Sequence, residues 1–193
     1  MNCHRSTTSL ALALVAIAST AAADTAPPTK RVQRGLTLEL GGGSVHGIAT
    51  NADFDRTNPG LFGVVLMEQR RSWSPWAYGV ELAVGIELSS EDEDEPGGFG
   101  YMLAGGRLGY RPTGDRGLGL WGSLRLGMAG HTASQFTMAL AAGAEVMITR
   151  RLGVGATASV HALSPGRDHQ FDRDVDAAIV GTAGVHLVGH FAL

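Results

Sequence analysis

Residues 76–88 read W-A-Y-G-V-E-L-A-V-G-I-E-L. One alternate set, Trp76, Tyr78, Val80, Leu82, Val84, Ile86 and Leu88, is bulky and apolar; the other, Ala77, Gly79, Glu81, Ala83, Gly85 and Glu87, is tiny or charged. Successive strand side chains point to opposite faces, so this period of two dictates a β-strand with two unlike sides. It is longer than the five or six residues usual for about half-buried strands in water. A strand crossing a bilayer at a tilt needs about 9–11 residues, which this segment supplies.

The pattern recurs. Eight alternating segments are predicted, at residues 35–43, 61–70, 76–88, 99–110, 118–128, 136–148, 152–162 and 179–193. In the first, Leu36, Leu38 and Leu40 oppose Thr37 and Glu39. The second, L-F-G-V-V-L-M, is apolar on both faces and its phase is open; the fourth can set Met102, Ala104, Leu108 and Tyr110 opposite Arg107. The fifth sets Leu118, Leu120, Leu124, Leu126 and Met128 against Gly119, Trp121, Ser123, Arg125 and Gly127, and the sixth sets Phe136, Met138, Leu140, Val146 and Ile148 against Thr137, Gly143 and Glu145. The seventh opposes Val154 and Val160 to Thr157, Ser159 and His161; the last opposes Ile179, Val185, Leu187, Phe191 and Leu193 to Thr182, Gly184, His186 and His190.

The first residues form an address. Arg5, an apolar run over residues 10–18 and the small residues Ala21, Ala22 and Ala23 before Asp24 have the layout of a secretory signal, expected at residues 1–23. Cys3 leaves with it, so the mature chain has no thiol and disulfide or thiolate chemistry is excluded. Residues 24–34, with Pro27 and Pro28, read as a flexible lead-in, and residues 35–193 as one domain. Loss of Arg5 leaves 14 basic against 18 acidic side chains, a net charge of −4 that argues against a nucleic-acid partner.

Composition decides which face points outward. A soluble barrel would show its polar face to water and carry many charges there. Here that face is mostly Gly, Ala, Ser and Thr with about one ionised residue per strand, and lysine is nearly absent. Glu39, Glu81, Arg107, Arg125 and Glu145 suit instead the interior of a narrow barrel, where opposite charges pair. The expected architecture is all-β, an eight-stranded antiparallel transmembrane β-barrel with these five residues as a lumen ionic network. Connections after the second, fourth and sixth segments are short, whereas those after the first, third and seventh are long; the link after the fifth, about residues 131–135, breaks the contrast. Short turns on one side and loops on the other fit a barrel with both termini in the periplasm. Trp73, Trp76, Tyr78, Tyr110 and Phe191 fall toward the turn side and Phe62, Phe99 and Phe136 toward the loop side, as two interfacial girdles.

On this pattern the chain resembles the small eight-stranded outer-membrane β-barrel proteins of Gram-negative bacteria, the OmpA/OmpX type. The resemblance implies outer-membrane lipids, lipopolysaccharide and the outer-membrane assembly machinery as partners, a bacterial outer-membrane location and a monomeric state. In that family the last strand usually ends on an aromatic residue that the machinery reads; here Leu193 is last and Phe191 stands two before it. No peptidoglycan-binding segment follows, so a cell-wall tether is not implied.

Candidate chemistry is sparse. Some small outer-membrane barrels resemble lipid A-modifying enzymes with a His, a Ser and a carboxylate near the rim, and His161 with Ser159 or Ser164, His46 with Ser44 and His131 with Ser134 are the candidates here. None matches a family motif. His161, His186 and His190 can face the lumen, where a histidine pair could bind a metal or titrate near neutral pH; hydrogen bonds to lumen carboxylates or water are the simpler reading. Asn51, Asp53, Asp55 and Thr57 have a calcium-loop spacing, but Arg56 replaces the required glycine and Phe62 the bidentate glutamate. Residues 91–95, E-D-E-D-E, read as a solvated loop tip or a divalent-cation bridge to lipopolysaccharide. No catalytic, cofactor or metal site is assigned. The expected function is a non-catalytic envelope barrel presenting extracellular loops for binding; the alternatives are a narrow pore for small solutes and a lipid A-modifying enzyme.

Overall fold

In the computed structural model, alternation of bulky apolar with small or charged residues produces strands that cannot be covered by any second layer and so close on themselves. The structure describes residues 32–49, 57–88, 98–111, 117–130, 134–168 and 173–193. The barrel strands are β1 (Val32–Ala49), β2 (Asn58–Arg71), β3 (Trp76–Glu87), β4 (Gly100–Tyr110), β5 (Leu118–Gly130), β6 (Gln135–Met147) and β7 (Leu152–Leu163), followed by the short β8 (Gly166–Asp168) and β9 (Arg173–Val175) and by β10 (Ala178–Ala192). The closed order is β1-β10-β7-β6-β5-β4-β3-β2, with β8 and β9 forming a separate two-stranded sheet. Every barrel pair is antiparallel, and β1 closes on β10 through pairs such as Leu40 with Leu187. Closure leaves the barrel no edge strand.

Alternation places the two faces unequally. Val80 is 63% exposed while Glu81, its neighbour, is 4% exposed. Leu82, Leu120, Leu126, Leu140, Val185 and Leu187 all stand outside, whereas Glu39, Glu81, Arg107, Arg125 and Glu145 are all buried within. A continuous apolar outer surface and a polar interior is the arrangement that lipid requires, because every backbone group of a closed barrel is paired within the sheet.

Several expectations are corrected. β1 starts at Val32, inside the stretch read as a lead-in, because residues 32–34 continue the ladder opposite Arg71, Arg70 and Gln69. The link read as a loop after residue 163 contains the β8–β9 hairpin. β2, whose phase was open, turns Phe62, Val64, Leu66 and Glu68 inward and Leu61, Val65 and Met67 outward. Phe62 therefore does not join the loop-side girdle. Nor does Phe99: its backbone N–H donates to Glu87 Oε2 at 3.1 Å, which turns the ring into the barrel mouth, where it is 1% exposed. Phe136 stands outside on that side, and Trp73, Trp76, Tyr78 and Tyr110 are exposed near the turns, with Trp76 and Tyr110 edge-on at 5.2 Å. The signal segment, the acidic run at 91–95, His131 and Asn51, Asp53 and Asp55 lie outside the described residues.

Candidate functional site

The lumen is the chemically distinctive part of the molecule, and its contents are stacked in layers. Nearest the turns, Arg111 on the chain beyond β4 donates through Nε to Glu145 Oε1 at 2.5 Å and through Nη1 to Glu68 Oε1 at 3.0 Å. His190 Nδ1 shares a hydrogen bond of 2.7 Å with Thr37 Oγ1 on the adjoining strand. Side chains here retain some solvent contact, 18% for Arg111 and 14% for Glu68.

The next layer is dry. Arg107 bridges Glu39 and Glu81, its Nε 2.6 Å from Glu81 Oε2, and Arg125 Nε reaches Glu81 Oε1 at 2.6 Å. Isolated, each of these charges would be costly to bury; joined in one group, each finds an opposite partner. The Arg107 guanidinium also lies 3.8 Å from the centroid of the Trp121 ring, a cation–π contact in low dielectric. Beside this group stands His186, its Nε2 4.0 Å from Glu39 Oε2.

Toward the loops the polar contents give way to an apolar cluster of Val45, Phe99, Ala129, Leu163 and Val180, with Tyr101 against it. His161 is fully buried below Phe99, hydrogen-bonded through Nε2 to Ser159 Oγ at 2.7 Å. Glu87, held by Asn58 Nδ2 and by the Phe99 N–H, fixes the rim above the cluster. Between the ionic and apolar layers, a cavity of about 30 Å³ touches Arg125, Ser159 and Thr182. That is room for one or two waters.

Solved structures give the fold its context. The chain is similar to Neisserial surface protein A, with 9% identity and a TM-score of 0.54 over 84% of this chain and all of that one. It is also similar to Ail, the attachment invasion locus protein of Yersinia pestis, in a structure with the heparin analogue sucrose octasulfate, with 14% identity and a TM-score of 0.52 over 83% of this chain and 99% of that one. The fold is that of an outer-membrane β-barrel. No family model and no curated protein matches the sequence.

Within the barrel the five charged residues singled out in the sequence divide into two groups. Glu39, Glu81, Arg107 and Arg125 are joined by ion pairs. Glu145 stands with Arg111, Glu68 and His190 instead. Glu68 escaped notice because β2 has no legible phase, and Arg111 because it lies one residue past its strand. The signal for Glu68 was the hairpin register, which sets it opposite the inward Gly79.

The serine–histidine candidates fare differently from one another. Ser44 Oγ and His46 Nε2 are 2.8 Å apart on the outer face of the barrel, and His46 Nδ1 meets Thr57 Oγ1 at 2.8 Å. The third partner is a hydroxyl, which stabilises no imidazolium as a carboxylate would. Ser159 and His161 are sealed in the lumen, and Ser164 Oγ donates to Pro165 O rather than to His161.

Proposed function

We propose that the protein is a non-catalytic, monomeric component of the bacterial outer membrane, exported by a signal at residues 1–23 and inserted by the assembly machinery, whose barrel is a sealed scaffold for its loops. The observation that carries this reading is the filled lumen among the described residues: an ion-paired layer under an apolar layer, with a water-sized cavity between them. An eight-stranded barrel has an interior just wide enough for side chains, so a pore for small solutes is disfavoured. Recognition then falls to the connections on the side away from both termini, since loops on a rigid scaffold vary without disturbing the ladder. Their partners are lipopolysaccharide and surfaces outside the cell.

Reconstitution into planar bilayers tests the sealed scaffold. The expected trace is silent, and steady single-channel conductance would overturn the reading. Protease added to intact cells tests orientation: cleavage is expected in the long connections, whereas cleavage only at the short turns after permeabilisation would invert the topology. Unaltered lipid A by mass spectrometry from expressing cells is the expected result for a non-catalytic barrel; loss or gain of an acyl chain would reinstate the enzyme alternative.

A further inference from the structure

Glu39 on β1, Glu145 on β6 and His186 on β10 each bring one ligand-type atom into a single buried group in which all three atoms lie within 4.8 Å of one another. These strands come from different parts of the barrel wall: β1 and β10 form the closing seam, and β6 stands two strands beyond β10. The side chains are sealed, 1% exposed for Glu39 and Glu145 and not at all for His186. The polar bookkeeping of this group does not close with protein atoms alone. Both ring nitrogens of His186 and Oε2 of Glu145 have no hydrogen-bond partner. Buried polar atoms are nearly always satisfied, and an imidazole with two orphaned nitrogens beside two carboxylates is an exception that asks for a cause.

We propose that this group is a binding site for a divalent first-row transition ion, of which zinc fits best. One imidazole nitrogen and two carboxylate oxygens is a zinc-type donor set, with a fourth position left for water. Ligands about 2.1 Å from one ion sit about 3 to 4 Å apart, a spacing that small side-chain rotations reach from the present one. The supporting contacts are in place as well. Arg107 holds Glu39 and Arg111 holds Oε1 of Glu145, so each carboxylate is oriented by a guanidinium. The two ion-paired groups contain the carboxylates of Glu39, Glu68, Glu81 and Glu145 against the guanidiniums of Arg107, Arg111 and Arg125, one fewer, with Arg70 near enough to Glu68 to interact with it. Arg70, the next cation, donates to the Ser74 carbonyl at the turn-side mouth. Entry is from that end, where Arg111 and Glu68 keep solvent contact. The bound ion ties the closing seam to β6, two strands farther round the wall.

The test uses the whole mature chain folded in detergent and stripped with chelator, with Co²⁺ as a spectroscopic probe and Zn²⁺ as competitor. One equivalent of Co²⁺ with visible bands abolished by Zn²⁺ is expected. His186→Gln and Glu145→Gln should each weaken binding by at least about tenfold, while His161→Gln and His46→Gln leave it unchanged. Heat-modifiable migration checks that each variant is folded. If His186→Gln does not fold, X-ray absorption at the zinc edge of the unaltered protein decides instead, with imidazole scattering expected in the shell. Absence of stoichiometric binding, binding indifferent to His186→Gln, or an all-oxygen shell would each overturn the proposal. A barrel that folds and binds no ion leaves the sealed-scaffold reading standing, so the two fail separately.

Discussion

Trp121 on β5 stands directly opposite Gly143 on β6, and its ring occupies the place a side chain on Gly143 would take: a Cβ there would lie 2.5 Å from Cζ2. The same relation recurs between Tyr101 and Gly85, Phe62 and Gly41, and His186 and Gly155, each pair meeting across one ladder. A ring laid over a neighbouring glycine covers bare backbone and fills the narrow lumen without bulging the wall, a device also used to rescue strand glycines.

Gly143→Ala should therefore destabilise the barrel by about 1–3 kcal/mol, the usual cost of overpacking. Trp121 has little room to yield, because Arg107 lies against its ring, and the Ala156 carbonyl is 2.8 Å from the same added atom. Urea unfolding in micelles measures the effect. Introducing Trp121→Leu alongside should recover part of it, and an unchanged midpoint for Gly143→Ala alone would contradict the contact.

Arg107 is the hub of the dry layer. Its replacement by Met should cost about 3–5 kcal/mol, because Glu39 loses its guanidinium and Glu81 keeps only Arg125. Adding Glu39→Gln to that variant should return a measurable share, seen as a rise in the urea midpoint. A loss below about 1 kcal/mol would place the ion pairs in water rather than in a sealed interior.

Double-mutant cycles should separate the two ionic groups. Arg125→Ala and Glu81→Ala touch one hydrogen-bonded pair, so their effects should couple by about 0.5–3 kcal/mol. Arg125→Ala and Glu145→Ala share no ion pair, and their effects should add to within about 0.5 kcal/mol. Equal coupling in both cycles would mean a single network across the lumen.

On the outer face, Leu82→Arg or Leu126→Arg should cost about 2–4 kcal/mol if the position lies near the bilayer midplane. Both side chains are among the exposed hydrophobics. Folding into lipid vesicles at graded urea concentrations reads the penalty, and a cost near zero at both sites would mean that the apolar band does not face lipid.

The wall of this molecule was legible in its sequence and its filling only in part: alternation placed Glu39, Glu81, Arg107, Arg125 and Glu145 inside, but not the order in which they pair. Alternation gave the faces of β3, β5 and β6 residue by residue, because a lipid-facing strand and a side-chain-filled lumen impose opposite demands on neighbouring positions. β2 gave no such signal: Phe62, Val64 and Leu66 turn bulky apolar groups into the lumen while Leu61, Val65 and Met67 turn apolar groups outward, so both faces read alike. Pairings such as Trp121 with Gly143, or Glu145 with Arg111, depend on register and on distances across the lumen, which no single strand's pattern contains. Phe99 shows the same limit at the rim, where a hydrogen bond to Glu87 overrides the usual outward placement of an interfacial aromatic.

The order of the layers also governs what a leak would require. The apolar cluster around Phe99 and the salt-linked layer around Arg107 are built from different side chains, and they obstruct an ion for different reasons: one refuses it hydration, the other blocks it with fixed side chains. Obstacles in series add their resistances, so opening either alone leaves the other in control. Turning this barrel into a conduit thus demands simultaneous change at two heights, and a single substitution at the loop-side rim is buffered against opening the lumen.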